Sequence, residues 1–361
     1  MSSSSPCEIR VKFLTKNPAP DIWPGWKKFF SGGHPVLGRC RFLFHRDEPD
    51  YDWLVVYDDL PASGNERFTR WIEPLRCPRS HTLLITTEPS TIKIYGRAFL
   101  CQFGHVLTSQ EPWIIRHPGA IYRQPGLIRF YEGDHDTIAA TPPESKTALI
   151  STVCSTKRQT HTLHRARYDF TQRLKASLPE LEIFGHGVRP IARKNEALDT
   201  YRYHVAIENH IAPHHWTEKL SDSFLSLTLP FYYGAPNATD YFPAESFIPI
   251  DIFDFDATLA SIRSAIASGE YERRLPALHE ARRLVLERWG TFPQLVELIE
   301  SLDDDAPPSD PSATILSRHA LRATGIHHAV GFACEKIAAR MRHALIKSKT
   351  PSLNKTNTSK S

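Results

Sequence analysis

No run of 18 apolar residues occurs in the 361-residue chain, which argues against a membrane-spanning helix. The opening MSSSSPCEIRVKF has no apolar core of the signal-peptide kind, so a chain without a secretory leader is expected. The six cysteines (Cys7, Cys40, Cys77, Cys101, Cys154 and Cys334) are scattered and form no CxxC pair. Several lie in strand-like runs, as free buried thiols of a reducing compartment do. No convincing Ser/His/Asp or Cys/His set is present, so a covalent nucleophile is not indicated. His210, His214 and His215 have a spacing that suggests a metal site on a helix, but Pro213 interrupts the helix this requires. Asp254 and Asp256 form a D-x-D between a strand and a helix, where aspartate commonly caps. No metal and no cofactor are therefore expected. No short solenoid repeat is found, and no groove motif of alternating basic and aromatic residues points to nucleic acid.

What is present is ordinary globular composition, 41% hydrophobic and 23% charged, at a length that suggests about two domains. The net charge of +4 is unevenly placed. From Ser312 to Ser361 there are nine Lys/Arg and one acidic residue, leaving 35 basic against 39 acidic residues in the rest. The basic character thus belongs to the carboxyl-terminal segment and not to the body.

The pattern reads as an α/β protein in three parts. Residues 1–145 carry short strands (Glu8 to Leu14, Arg41 to Phe44, Trp53 to Tyr57, His81 to Thr86, Phe99 to Leu107) separated by Pro- and Gly-rich pieces. EGDHDTIAATPPES, from Glu132 to Ser145, reads as an interdomain connection. Residues 146–302 repeat strand and helix: strand Ala148 to Val153, helix Thr162 to Leu178, strand Leu181 to Phe184, and strand Phe247 to Phe253 further on. A long helical region, Asp256 to Arg288, is expected to break near Pro276, and a short helix to run from Pro293 to Leu302. Residues 303–361 read as an acidic linker and a tail. In the tail Ile326, Val330, Ala333, Ile337, Met341 and Leu345 recur at helical spacing among Lys336, Arg340, Arg342 and Lys347. The last ten residues are polar and expected to be disordered.

The most informative stretch is Tyr201 to Gly234, YRYHVAIENHIAPHHWTEKLSDSFLSLTLPFYYG. A strand ends in Glu208-Asn209, Thr217 offers an N-cap, Glu218 and Lys219 fall in the first helical turn, and a strand from Leu229 to Tyr233 follows. This is a βαβ unit with polar residues beyond the strand's carboxyl end, where open α/β sheets bind nucleotides.

The run IEN, the spacing to TEKL, and a strand ending in YYG-P resemble the donor-site signature of the α-1,3/1,4-fucosyltransferases, glycosyltransferase family 10. The likeness is continuous from about Thr147 to Phe253. It implies a GT-B architecture, two Rossmann-like domains facing a cleft, and inverting transfer of fucose from GDP-fucose to a glycan acceptor, without a metal. On this resemblance Glu218 grips the ribose diol, Lys219 and Arg189 meet the diphosphate, and Asn209 matches the asparagine of the family's EN pair. Glu208 has a structural reading beside it, capping the strand end. His215 stands where the family usually has an aromatic residue, often tyrosine, which bears on guanine stacking or phosphate contact. The family's base is a glutamate beside a Ser/Pro pair in the first domain. Here Glu88, in Thr87-Glu88-Pro89-Ser90, matches it in part, and Asp58 and Asp59 compete for the role. Another GDP-sugar as donor, or a glycan-binding relative without catalysis, are the alternatives. The basic helix suggests contact with an anionic membrane surface by a cytoplasmic protein; packing back on the body or oligomerisation is the other reading.

Overall fold

The structure, a computed structural model, describes residues 7–349 apart from 65, 67, 127, 157, 158, 160, 161, 304–309 and 311. In the first half the strands are β1 (Ile9–Thr15), β2 (Val36–Leu37), β3 (Cys40–Leu43), β4 (Trp53–Tyr57), β5 (Ile72–Pro74), β6 (Thr82–Ile85), β7 (His105–Thr108) and β8 (Ala120–Tyr122). All but β5 form one sheet in the order β2-β3-β1-β4-β6-β7-β8, parallel except for β2.

Both faces of this sheet are covered, which is why its strands read as nearly continuous apolar runs. Val11, Phe13, Val55, Leu83 and Leu107 pack on one side; Leu14, Leu54, Val56, Leu84 and Val106 pack on the other. Lys12 breaks the run in β1, and its buried ammonium lies 2.6 Å from Glu73 of β5. The connections are mostly irregular. The helices α1 (Trp23–Trp26) and α2 (Arg97–Leu100) have four residues each, too few to leave a helical period in the sequence. The strand expected from Phe99 to Leu107 is accordingly divided: Phe99 and Leu100 close α2, and β7 starts only at His105. A short apolar run does not distinguish the two forms, and here Phe99 packs edge-on against Phe103 one turn later.

After α3 (His135–Ala140), capped by Asp134, come β9 (Ala148–Val153), α4 (His164–Ser177), β10 (Leu181–Phe184), β11 (Tyr201–Ile207), α5 (Glu218–Leu225), β12 (Leu229–Tyr233) and β13 (Ile248–Pro249). The five strands make a parallel sheet in the order β10-β9-β11-β12-β13. The expected strand from Phe247 to Phe253 shrinks to two residues, because Pro249 lacks a donor and Asp251 turns the chain by accepting from Phe253 N. The long helical region is two helices, α6 (Phe255–Ala267) and α7 (Glu270–Glu287). They divide at Gly269, whose φ of 66° is left-handed, and Pro276 lies within α7 instead of breaking it.

The expected division at 145/146 falls between α3 and β9, but the later one differs. Helix α8 (Thr291–Leu302), read as part of the donor domain, packs on the first sheet. Phe292 sits 4.2 Å from Phe30, 4.9 Å from Phe42 and 5.4 Å from Phe13, ring centre to ring centre. The segment read as linker and tail also returns to the first half. β14 (Thr314–Leu316) pairs antiparallel with β5, and Ile315 is buried in the first half's core. α9 (Arg318–Ala323) follows, and Arg318 Nε lies 2.8 Å from Asp59 Oδ2.

The basic helix is α10 (Ile326–Lys349). It docks through Phe332, Glu335, Ala339 and His343, spaced three and four residues apart on a face that is not the apolar stripe. Ile326, Val330, Ile337, Met341 and Leu345 remain exposed. The polar last ten residues, and most of the acidic linker, lie outside the described residues. No helix is long and apolar enough to cross a membrane among the described residues.

Candidate active site

The carboxyl edges of the two sheets face each other across a cleft, and the contacts there join loops that follow β6, β7 and β8 to loops that follow β11 and β12. Thr91 Oγ1 is 3.3 Å from His210 Nδ1, Ser109 Oγ is 3.1 Å from His215 Nδ1, and Gln124 N donates to Tyr241 Oη at 2.9 Å.

On the second side the site is built around the start of α5. Glu208, directly after β11, is fully buried and accepts from Thr217 N at 2.8 Å and from the Thr217 hydroxyl. Thr217 caps α5 by accepting from Lys219 N at 3.3 Å. The strand end thus fixes the helix start, and Lys219 Nζ is left 3.4 Å from Glu208 Oε2 and 2.8 Å from Glu218 Oε1. Burial pushes the carboxyl of Glu208 up, against the pull of Lys219. Burial also works to raise Glu218, but Lys219 and Lys194 outweigh it and hold that carboxyl down at about 2. Burial opposes the charge of Lys219, yet the two carboxylates keep its affinity for the proton above the ordinary value. An ammonium held between carboxylates at a helix start is poised to exchange one of them for a phosphate oxygen.

Asn209 accepts through Oδ1 from Arg167 at 2.9 Å. Arg167, from α4, is buried behind the end of β11, with Ile207 O 3.4 Å away. Its Nε has no partner, and no carboxylate pairs with it among the described residues. The sequence reading did not single it out, since an arginine in a helix is usually a solvated one. Arg189 is placed differently from Arg167. It lies in the loop after the edge strand β10, where its guanidinium sits 2.7 Å from Glu182 and over the ring of Phe184. Both members of that pair are well exposed, and the structure does not bring Arg189 to Lys219.

His215 is buried, with its ring 5.3 Å from that of His210. Burial, reinforced by His210 and Lys219, pulls its imidazole down to about 3, so it is neutral and acts as a tie between the two halves. His210 Nε2 lies 3.3 Å from Glu111 Oε1.

Across the cleft, Glu88 follows β6, and its backbone carbonyl accepts from Gln110 Nε2 at 2.7 Å. Its side chain is solvent-accessible and has no ion pair among the described residues. Desolvation by the cleft walls, then the charges of Asp58 and Glu218, raise its carboxyl above the ordinary range. The competing acids are differently engaged. Asp58 is ion-paired to both Lys16 and Lys93 and accepts from Tyr95 Oη at 2.6 Å. Burial opposes its charge, but the two lysines hold its carboxyl well below the usual range. Asp59 is taken by Arg318. Of the three acids, Glu88 is the one open to the cleft and disposed to take a proton. Among the described residues no group of three or more His, Cys, Asp or Glu side chains is placed to hold a metal ion.

Three comparisons with known proteins bear on the chain. Residues 143–272 match the family model described as glycosyltransferase family 10 (fucosyltransferase), C-terminal. A stretch of 74 residues is 32% identical to the alpha-(1,3)-fucosyltransferase FucT of Helicobacter pylori; it spans 20% of this chain and 16% of that relative. A crystal structure of an alpha1,3-fucosyltransferase superposes with a TM-score of 0.50 at 16% identity, over 86% of this chain and 94% of that one. A structure of alpha1,3-fucosyltransferase with GDP-fucose gives 0.48 at 15% identity, over 86% and 95%. Residues 143–272 thus resemble the glycosyltransferase family 10 (fucosyltransferase) C-terminal domain, in a chain with the GT-B fold.

Proposed function

We propose that the protein is an inverting glycosyltransferase that moves fucose from GDP-fucose to a hydroxyl of a glycan acceptor. The observation that carries this reading is the start of α5. There Thr217 and Lys219 of the family-matching segment are held by the buried Glu208 and Glu218 is paired with Lys219, with Glu88 on the opposite wall of the cleft. Glu218 accepts from the ribose hydroxyls. Lys219, Arg167 and the amino end of α5 stabilise the diphosphate as the bond from its oxygen to the sugar's anomeric carbon breaks. Arg189 joins them only by exchanging Glu182 for phosphate. Glu88 takes the proton of the acceptor hydroxyl, whose oxygen forms the new bond to that carbon from the opposite face. No step calls for a metal.

The exposed stripe of α10, with Lys336 and Arg340 beside it, supports peripheral contact with an anionic, cytoplasmic membrane face. Each basic residue near such a surface contributes about 1 kcal/mol. Sedimentation with phosphatidylserine vesicles tests this, and unchanged binding by an Ile337→Glu/Met341→Glu variant would remove it.

The donor reading is tested by thermal shift with GDP, UDP, ADP and GDP-fucose, followed by anomeric analysis of the transferred sugar. Stabilisation by GDP and GDP-fucose alone, lost in Lys219→Ala, is expected; a ligand at a hundredfold excess over Kd adds about 2.7 kcal/mol. Stabilisation by UDP alone would overturn the reading. GDP binding with transfer from a GDP-sugar other than GDP-fucose would change the donor and keep the site.

A further inference from the structure

Docking of α10 leaves a cavity of about 360 Å³ between it and the segment from Ile94 to Arg116, within the size range of small-molecule sites. Three arginines line it, Arg97, Arg116 and Arg342, against a single carboxylate, Glu335. Glu335 is already engaged, accepting from Arg97 N at 2.9 Å. Neither Arg97 nor Arg116 has a side-chain hydrogen bond or a carboxylate partner among the described residues, while Arg342 lies over the ring of Trp113 at 4.6 Å.

The cavity adjoins the reaction centre. Trp113, in its wall, contacts the ring of His343 edge-on at 4.9 Å, and His343 Nε2 reaches Ser90 Oγ at 3.0 Å, two residues from Glu88. An indole offers a flat apolar face for a sugar ring, and unpaired guanidinium groups offer forked donors for carboxylate or phosphate oxygens.

We propose that this cavity, built by α10 and the Ile94–Arg116 segment, is a subsite for an anionic sugar unit of the acceptor, next to the unit that receives the transferred sugar. The proposal rests on the transferase reading for the meaning of "acceptor", but the binding itself does not depend on the donor. The carboxyl-terminal helix then selects the acceptor as well as covering the first domain.

The test is calorimetric titration of the full chain, without nucleotide, against three probes: a uronic-acid-bearing oligosaccharide, its carboxyl-reduced neutral counterpart, and a glycosyl phosphate of the same sugar. The acidic probes are expected to bind about tenfold more tightly than the neutral one. In Arg97→Gln/Arg116→Gln that preference is lost while stabilisation by GDP is kept. The two acidic arms separate carboxylate from phosphate as the anion recognised. Equal binding of acidic and neutral probes, binding of none, or a preference that survives the double substitution would overturn the proposal. Absence of GDP binding together with an intact acid preference would count against the transferase reading and leave the subsite standing.

Discussion

The Nζ of Lys219 lies 3.4 Å from Oε2 of Glu208, a carboxylate sealed from solvent at the end of β11. The pair ties the strand to the helix, so removing the acid leaves the backbone N–H of Thr217 without its acceptor and Lys219 with Glu218 as its one carboxylate among the described residues. Glu208→Ala is expected to lower stability by about 3–5 kcal/mol, the range for one partner lost from a buried pair. Glu208→Gln, which keeps the shape and an acceptor, is expected to cost less. Urea denaturation of both variants measures the difference, and a Glu208→Gln loss as large as that of Glu208→Ala would mean that the charge alone, not the shape or the acceptor, holds the strand to the helix.

Arg167 and Arg189 differ in what already holds them. Arg167→Lys keeps a positive charge but loses the fork, and is expected to weaken GDP binding about tenfold, ~1.4 kcal/mol. Arg189→Ala is expected to change it less, since its guanidinium is occupied by Glu182. The reverse order in a calorimetric comparison would return the phosphate role to Arg189.

Glu88 must be ionised to accept a proton. Its carboxyl is raised, so the rate is expected to fall as pH drops through a value above the ordinary carboxylate range, and to level off on the alkaline side of it. Glu88→Gln is expected to reduce transfer by about 10²–10⁴-fold, the range for general bases, with GDP stabilisation unchanged. A pH–rate profile on wild type and variant shows whether the acid limb belongs to Glu88.

His215 stays neutral in the folded chain down to about 3, whereas an unperturbed imidazole in the unfolded chain titrates near 6.5. The unfolded state therefore binds the extra proton between those values. The stability this group contributes is present above about 6.5 and is lost as pH falls towards 3, at up to ~1.4 kcal/mol per pH unit. His215→Phe is expected to flatten the acid side of a stability–pH curve measured by denaturation, and an unchanged slope would sink the assignment.

Arg318 and Asp59 join α9 to the end of β4, with little of either side chain exposed. Arg318→Ala is expected to destabilise by about 3 kcal/mol through the unpaired buried acid. A thermal melt measures it, and a loss under about 0.5 kcal/mol would place the pair with ordinary surface bridges.

The arrangement at the start of α5 was legible because its residues are close in sequence. Glu208, Thr217, Glu218 and Lys219 span one strand end and one helix start, and capping preferences are local. Arg167 was not legible, since nothing in its helix distinguishes an arginine that turns inward behind β11 from one that faces water. The return of the chain was hidden for a related reason. β14 is three residues long and pairs with another three-residue strand, and α8 carries an apolar stripe that does not say which sheet it will cover. The stripe of α10 did not mark its docking face, for the helix docks by Glu335, Ala339 and His343 and leaves its aliphatic residues outside.

Because α8, β14 and α9 complete the core begun by β1, the first domain is discontinuous in the chain and is interrupted by the whole second domain. During synthesis the second domain can close first, while the earlier-made sheet waits with the face destined for Phe292 uncovered. Contacts such as Phe13 with Phe292 and Asp59 with Arg318 span most of the polypeptide, and pairings of that separation are slow to form. A nascent chain halted before α8 should hold a protease-resistant second domain beside a digestible amino-terminal half, with protection of that half arriving only when α8, β14 and α9 emerge.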